Sequence, residues 1–152
     1  MCYIGEDDAL SKPTTPKSIL FVCNMNQIRS PMAEFLTKDV FGTSIYAQSA
    51  GIYKGDEDGF MQAVMQERGI DVSTHEPATL NELEDHFVDL VVTLTEQAND
   101  FTRDFFRDEA VDIEFWPVEN PSIAVGRREE VLATYRKTRE DLESRIRERF
   151  SK

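Results

Sequence analysis

Short apolar runs alternate with amphipathic stretches along most of this 152-residue chain, and this alternation constrains the fold more than any other feature. Ile19-Leu20-Phe21-Val22 is continuously apolar, as a strand buried on both faces must be. Pro31-Met32-Ala33-Glu34-Phe35-Leu36 follows with its Pro where a first helical turn accepts it, and Ser30 before that Pro reads as the N-cap. A second strand is expected at Ser44-Ile45-Tyr46-Ala47-Gln48, ending at Ser49-Ala50-Gly51. A helix over about 58 to 68 then puts Phe60, Met61, Val64 and Met65 on one face, with Gly69 as its stop. Thr79-Leu80-Asn81-Glu82 matches a capping box, with Leu80 and Leu83 inward. Asp89 to Leu94 predicts a third strand, leading through Thr95 into a helix that carries Ala98, Phe101 and Phe105. Asp112 to Trp116 predicts a fourth strand, and Val131, Tyr135, Leu142 and Ile146 mark a long final helix.

Strands that alternate with helices imply an α/β fold: one parallel sheet with helices on both faces, because each strand-to-strand crossover is a right-handed helical connection. Ligands of such folds lie outside the carboxyl ends of the strands. The loops to inspect are therefore 23–30, 49–57, 93–95 and 117–126. Residues 1–17, with Glu6-Asp7-Asp8, Pro13 and Pro16 and no apolar period, read as a leader; residues 18–152 read as a single domain.

Charge narrows the partners. The net charge is −12, and residues 127–152 hold nine Lys/Arg against six Asp/Glu, which leaves −15 on residues 1–126. Nucleic acid and anionic membrane surfaces both require a cationic face, so neither is an expected partner. With no apolar run of membrane-spanning length and no signal-peptide pattern, a cytoplasmic location is expected. The two cysteines, Cys2 and Cys23, do not make a disulfide scaffold, and His75 and His86 have no ligand-like spacing to each other or to Cys, so no metal site is expected. His75 reads as a structural loop residue.

The loop after the first strand carries the chemistry. It reads Cys23-Asn24-Met25-Asn26-Gln27-Ile28-Arg29-Ser30 and opens directly into a helix. A Cys and an Arg six positions apart can flank an anion cradle. Loop N–H groups turn inward, the helix N-terminus adds partial positive charge, and the guanidinium offers a planar fork to a tetrahedral oxyanion. The same field favours the thiolate of Cys23, the nucleophilic form. Ser30 is placed to donate to that sulfur, and Asn26 to hold backbone groups in a strained turn.

At these residues the chain resembles the low-molecular-weight protein tyrosine phosphatase family, which includes a class of arsenate reductases. The resemblance rests on Leu20-Phe21-Val22-Cys23, Asn26, Arg29-Ser30-Pro31-Met32-Ala33-Glu34, Ser49-Ala50-Gly51, Gly69-Ile70-Asp71, His75, Leu80 and Asn120-Pro121. It implies a four-stranded parallel sheet, a phosphocysteine intermediate on Cys23, phosphoryl binding by the loop and Arg29, bracing of the loop by Asn26 and Ser49, and no cofactor. Phosphorylated proteins, small phosphomonoesters, inorganic phosphate or a related oxyanion are the implied partners.

Three departures from that family bear on function. Asn120 stands where the family carries the Asp of Asp-Pro as general acid, and an amide cannot give up a proton to a leaving alkoxide; Glu119 is the neighbouring candidate for a substitute acid. Met25 stands where Gly is common, and either shifts the loop or forms a pocket wall. Around the expected substrate pocket, Ser122 and Ile123 follow Asn120-Pro121, leaving Tyr53 as the aromatic candidate for stacking on a phenyl ring. The leading expectation is phosphomonoester hydrolysis, with phosphotyrosine in proteins as the substrate. The alternatives are arsenate reduction with an external thiol, suggested also by Pro121, Gly126, Glu130, Tyr135 and Arg139, and a phosphate-binding regulatory module with little turnover.

Overall fold

The computed structural model describes residues 15–83 and 88–151. Cys2, His86 and most of the expected leader lie outside them. Within them, the element order is β1 (Ser18–Cys23), α1 (Arg29–Phe41), β2 (Tyr46–Gly51), α2 (Gly59–Gln66), β3 (Leu90–Thr93), α3 (Glu96–Phe105), β4 (Asp112–Phe115) and α4 (Arg128–Phe150). The four strands form one parallel sheet in the order β2-β1-β3-β4.

The pleat of β1 divides the core. Ile19, Phe21 and Cys23 face α1, α2 and α4, where Met32, Leu36, Met61, Val64, Tyr135, Leu142 and Ile146 are buried with them. Leu20 and Val22 face the other way, against Leu80, Ala98 and Phe106. Because successive strand residues point to opposite faces, a strand covered twice has to be apolar throughout, and β1 is. Chain order reverses at β1, which has β2 on one side and β3 on the other. The crevice at its carboxyl end is thus the expected ligand position, and Cys23 sits there, paired in register with Gly51.

Some element ends differ from expectation. β2 starts at Tyr46 because Gly42–Ser44 forms a 3₁₀ turn after the left-handed Gly42 (φ 59°). α2 is shorter than 58–68: Asp58 caps it by accepting from the Met61 N–H at 2.9 Å, and the chain turns at Gly69 (φ 72°) with Ile70 N–H returning to the Met65 carbonyl. Phe101 on α3 is partly exposed and lies stacked on Phe105. Ser30 is not the N-cap of α1. The helix begins at Arg29, two residues before the start that a Ser30 cap would set, and Ser30 is fully buried in its first turn, with its hydroxyl used elsewhere.

The long α4 is fastened to α2 by buried Arg139, which donates to the Val64 carbonyl at 2.6 Å and to Glu67 at 2.8 Å, and by Tyr135, which donates to Asp58 at 3.1 Å. Among the described residues, no helix is long and apolar enough to cross a membrane.

Candidate active site

The loop from Cys23 to Arg29 is held by its outer carbonyls. Ile52, Tyr53 and Gly55 donate their N–H groups to the carbonyls of Cys23, Asn24 and Met25 at 3.2, 2.8 and 2.9 Å, extending the β1–β2 pairing beyond the sheet. Across the same loop, the N–H groups of Asn24, Met25, Asn26, Gln27 and Ile28 donate to no backbone or side-chain acceptor among the described residues. Successive free N–H groups at the mouth of a helix are the arrangement that binds an anion.

Asn26 is the keystone of the turn. It is fully buried and is the one non-glycine residue with positive φ (52°) among those described. Asn tolerates this region better than other side chains. Its Oδ1 accepts from the Ala78 N–H at 2.9 Å, its Nδ2 donates to Ser30 Oγ at 2.9 Å, and its carbonyl lies 3.2 Å from His75 Nε2. His75 thus sits against the loop backbone, edge-on to Phe35.

The Asn26 bonds set the donor direction all the way to the sulfur. A backbone N–H can only donate, so the atom facing Ala78 is the amide oxygen and the atom facing Ser30 is the NH₂. Ser30 Oγ therefore receives a hydrogen from Asn26, and its own proton is available for Cys23 Sγ, 2.9 Å away, with the Ala50 carbonyl the more distant acceptor at 3.4 Å. A donor aimed at sulfur stabilises the negative charge that develops there when the thiolate is a leaving group.

Arg29, six residues after Cys23, is half-buried and donates from Nη1 to the Val118 carbonyl at 2.9 Å. Burial pulls its guanidinium below the ordinary arginine value, and the negative charge of Cys23 raises it back in part. The Val118 bond also ties the loop 117–126 to the cradle. At Met25 the backbone is not left-handed and the side chain is 39% exposed, and Gly55 makes room for it, since a Cβ there would lie 3.1 Å from Met25 Cβ. Gly51 is required by a closer approach, since a Cβ on it would meet Tyr53 O at 2.5 Å and Asn26 N at 2.7 Å.

Two expected site residues are engaged differently. Ser49 does not reach the loop: its hydroxyl donates to Glu34 Oε1, which joins β2 to α1 instead. Asn120 caps the 3₁₀ turn Pro121–Ile123, its Oδ1 accepting from Ser122 N at 3.0 Å and from Ser122 Oγ at 2.8 Å. Glu119 and Ser122 are exposed, and Tyr53 and Ile123 are largely so, at 54% and 75%.

Like the Arg29–Val118 bond, a second support of the loop has no local sequence signal. Asn24 is anchored to the start of α3, where Thr95 Oγ1 donates to its Oδ1 at 2.6 Å and its Nδ2 donates to Gln97 Oε1 at 3.2 Å, while Thr95 also caps the helix through Ala98 N–H. The capping role is legible at Thr95; the contact across 71 residues is not.

This geometry joins the sequence to known proteins. Residues 18–152 match the family of the low molecular weight phosphotyrosine protein phosphatases. The chain belongs to that family. The arsenate reductase of Bacillus subtilis (strain 168) is 32% identical over 132 residues, covering 87% of this chain and 94% of that protein. The low molecular weight protein tyrosine phosphatase from T. tengcongensis is 28% identical, with a TM-score of 0.71 over 85% of this chain and 94% of that one. An arsenate reductase in the phosphate binding state is 25% identical, with a TM-score of 0.72 over 87% of this chain and 95% of that one. The family is thus one of enzymes whose members carry both names. Among the described residues, no three His, Cys, Asp or Glu side chains gather as a metal cluster would require.

Proposed function

We propose that this chain is a cysteine-dependent phosphatase that hydrolyses phosphomonoesters, phosphotyrosine in proteins among them. The reading is carried by the directed chain from Ala78 N–H through Asn26 and Ser30 to Cys23 Sγ, beside the free N–H groups of residues 24–28. The Cys23 thiolate attacks phosphorus, the P–O bond to the leaving group breaks, and the phosphoryl oxygens are held by those N–H groups and by Arg29. Water then attacks the phosphocysteine, and the S–P bond breaks with its electron pair returning to the sulfur that Ser30 stabilises. Met25, Tyr53 and Ile123 offer apolar surface to the group that carries the phosphate. Glu119 has no partner among the described residues that would fix its carboxyl as a proton donor, and Asn120 has no proton of that acidity to give.

Turnover of p-nitrophenyl phosphate by the protein and by Cys23→Ala tests this. The protein releases nitrophenolate and inorganic phosphate and the variant does neither; equal turnover by the two refutes the nucleophile.

A second reading, arsenate reduction, is favoured by the name of the 32% identical relative. Reducing arsenate takes two electrons from two thiols, and Cys2 is the one other cysteine in the chain, so an external thiol would supply what Cys23 does not. Arsenate-dependent oxidation of dithiothreitol, lost in Cys23→Ala, is the outcome that supports this reading over the first.

A further inference from the structure

We infer that Asn120 ranks the substrates of this site by leaving group: phosphoryl donors whose leaving group departs without a proton, above all acyl phosphates formed on carboxylates, react far faster than phenolic or alkyl esters. This rests on the phosphatase reading and names the substrate class within it.

The direction of the amide comes first. Ser122 presents a backbone N–H, which only donates, at 3.0 Å, so the atom it faces is the Asn120 carbonyl oxygen; the Ser122 hydroxyl at 2.8 Å occupies the same oxygen. The NH₂ group is the part of the side chain left over, and Asn120 is only half-buried. Two residues earlier the Val118 carbonyl accepts from Arg29, so this stretch of loop borders the cradle. What it can present there is a neutral hydrogen-bond donor, not an acid. Glu119 is exposed, and no hydrogen bond or ion pair holds it among the described residues.

A neutral donor can stabilise charge on a departing oxygen without transferring a proton. Whether that suffices depends on the leaving group. A carboxylate, with a conjugate acid near pKa ~4, departs as a stable anion at neutral pH, whereas a tyrosyl oxygen, near ~10, is expelled well above ambient pH and gains most from protonation. With an acyl phosphate the step balances without an acid: sulfur forms the S–P bond, the P–O bond to the acyl oxygen breaks, and its electron pair leaves on the carboxylate. Water then releases phosphate and regenerates the thiolate.

The test compares kcat/KM for acetyl phosphate and phenyl phosphate, in the protein and in Asn120→Asp, with Cys23→Ala subtracted for spontaneous hydrolysis. A carboxylate accepts the same two bonds from Ser122, so the cap survives, and an unchanged melting temperature checks this. We expect the protein to prefer acetyl phosphate by at least ~10²-fold, and Asn120→Asp to raise phenyl phosphate turnover by ~10²- to 10⁴-fold while changing acetyl phosphate less than ~10-fold. Equal use of the two compounds by the protein, or an equal gain for both in the variant, overturns the inference and leaves the phosphatase reading standing. Failure of both proteins on both compounds removes that reading and the inference with it.

Discussion

Replacing Asn26 separates the two things it does. Asn26→Ala leaves the Ala78 N–H without its acceptor, costing about 1–3 kcal/mol, and takes away the hydrogen bond to Ser30, about 1 kcal/mol more. It also forces a residue with a Cβ to hold φ 52° without a compensating amide, about 1–2 kcal/mol. The variant should lose about 3–6 kcal/mol in a urea titration followed by circular dichroism. Asn26→Gly loses the same bonds but not the backbone strain; against that, a freer unfolded chain costs it about 0.4–1 kcal/mol. It should be about 1 kcal/mol more stable than the Ala variant, and both should lose turnover because Ser30 is no longer oriented toward Cys23. An Ala variant within about 0.5 kcal/mol of the parent, or a Gly variant less stable than the Ala variant, would contradict these roles of Asn26.

Single contacts give further expected outcomes. Gly51→Ala places a Cβ 2.5 Å from Tyr53 O and 2.7 Å from Asn26 N, both backbone atoms, so it should cost about 1–3 kcal/mol in the same titration and distort the cradle enough to lower kcat. Ser30→Ala removes the donor to the departing thiolate. Dephosphorylation should slow by up to roughly 10²-fold, near the low end for one donor to developing charge, and a pre-steady-state burst of nitrophenolate should appear or grow. Acid should destabilise the α2–α4 region in a definite window. Glu67 is held at about 2 by Arg136 and Arg139, and Glu143 at about 2 by Arg68 and then Arg147, both from an ordinary 4.5. Depressed carboxylates add stability that is fully present above about 4.5 and is lost as pH falls toward about 2. Melting temperatures of the parent and of Glu67→Gln should therefore differ at pH 7 and converge near pH 2, and a constant gap would contradict the assignment.

The parts of the fold that can be read in the sequence are those written in local pattern. The apolar run 19–22, the helical face of Met61, Val64 and Met65, and Thr79 with Glu82 each carry their period or cap within a few residues. Ser30 shows where local reading fails. Ser before Pro is a common helix start, yet this hydroxyl has two better partners, Asn26 Nδ2 and Cys23 Sγ, which only the folded loop supplies. Asn120 shows the converse: Asn-Pro-Ser is itself a capping pattern, masked by the acid chemistry that the resemblance attaches to the position. The supports of the cradle that are not legible, Thr95 with Asn24 and Val118 with Arg29, join loops 71 and 89 residues apart that meet only because the sheet order gathers strand ends there. The resemblance puts Ser49 on the loop, whereas its position on β2 aims the hydroxyl at Glu34 on α1.

A covalent intermediate on Cys23 is the most direct test of the proposed phosphatase chemistry. The protein is mixed with acetyl phosphate, quenched in acid within the first turnover, and the digested peptides are examined by mass spectrometry. One added phosphoryl group is expected on the peptide that contains Cys23, labile as a phosphothioester and absent from Cys23→Ala. Release of phosphate at the full rate with no phosphoryl group on Cys23 at any quench time, or with the group on another residue, would contradict it.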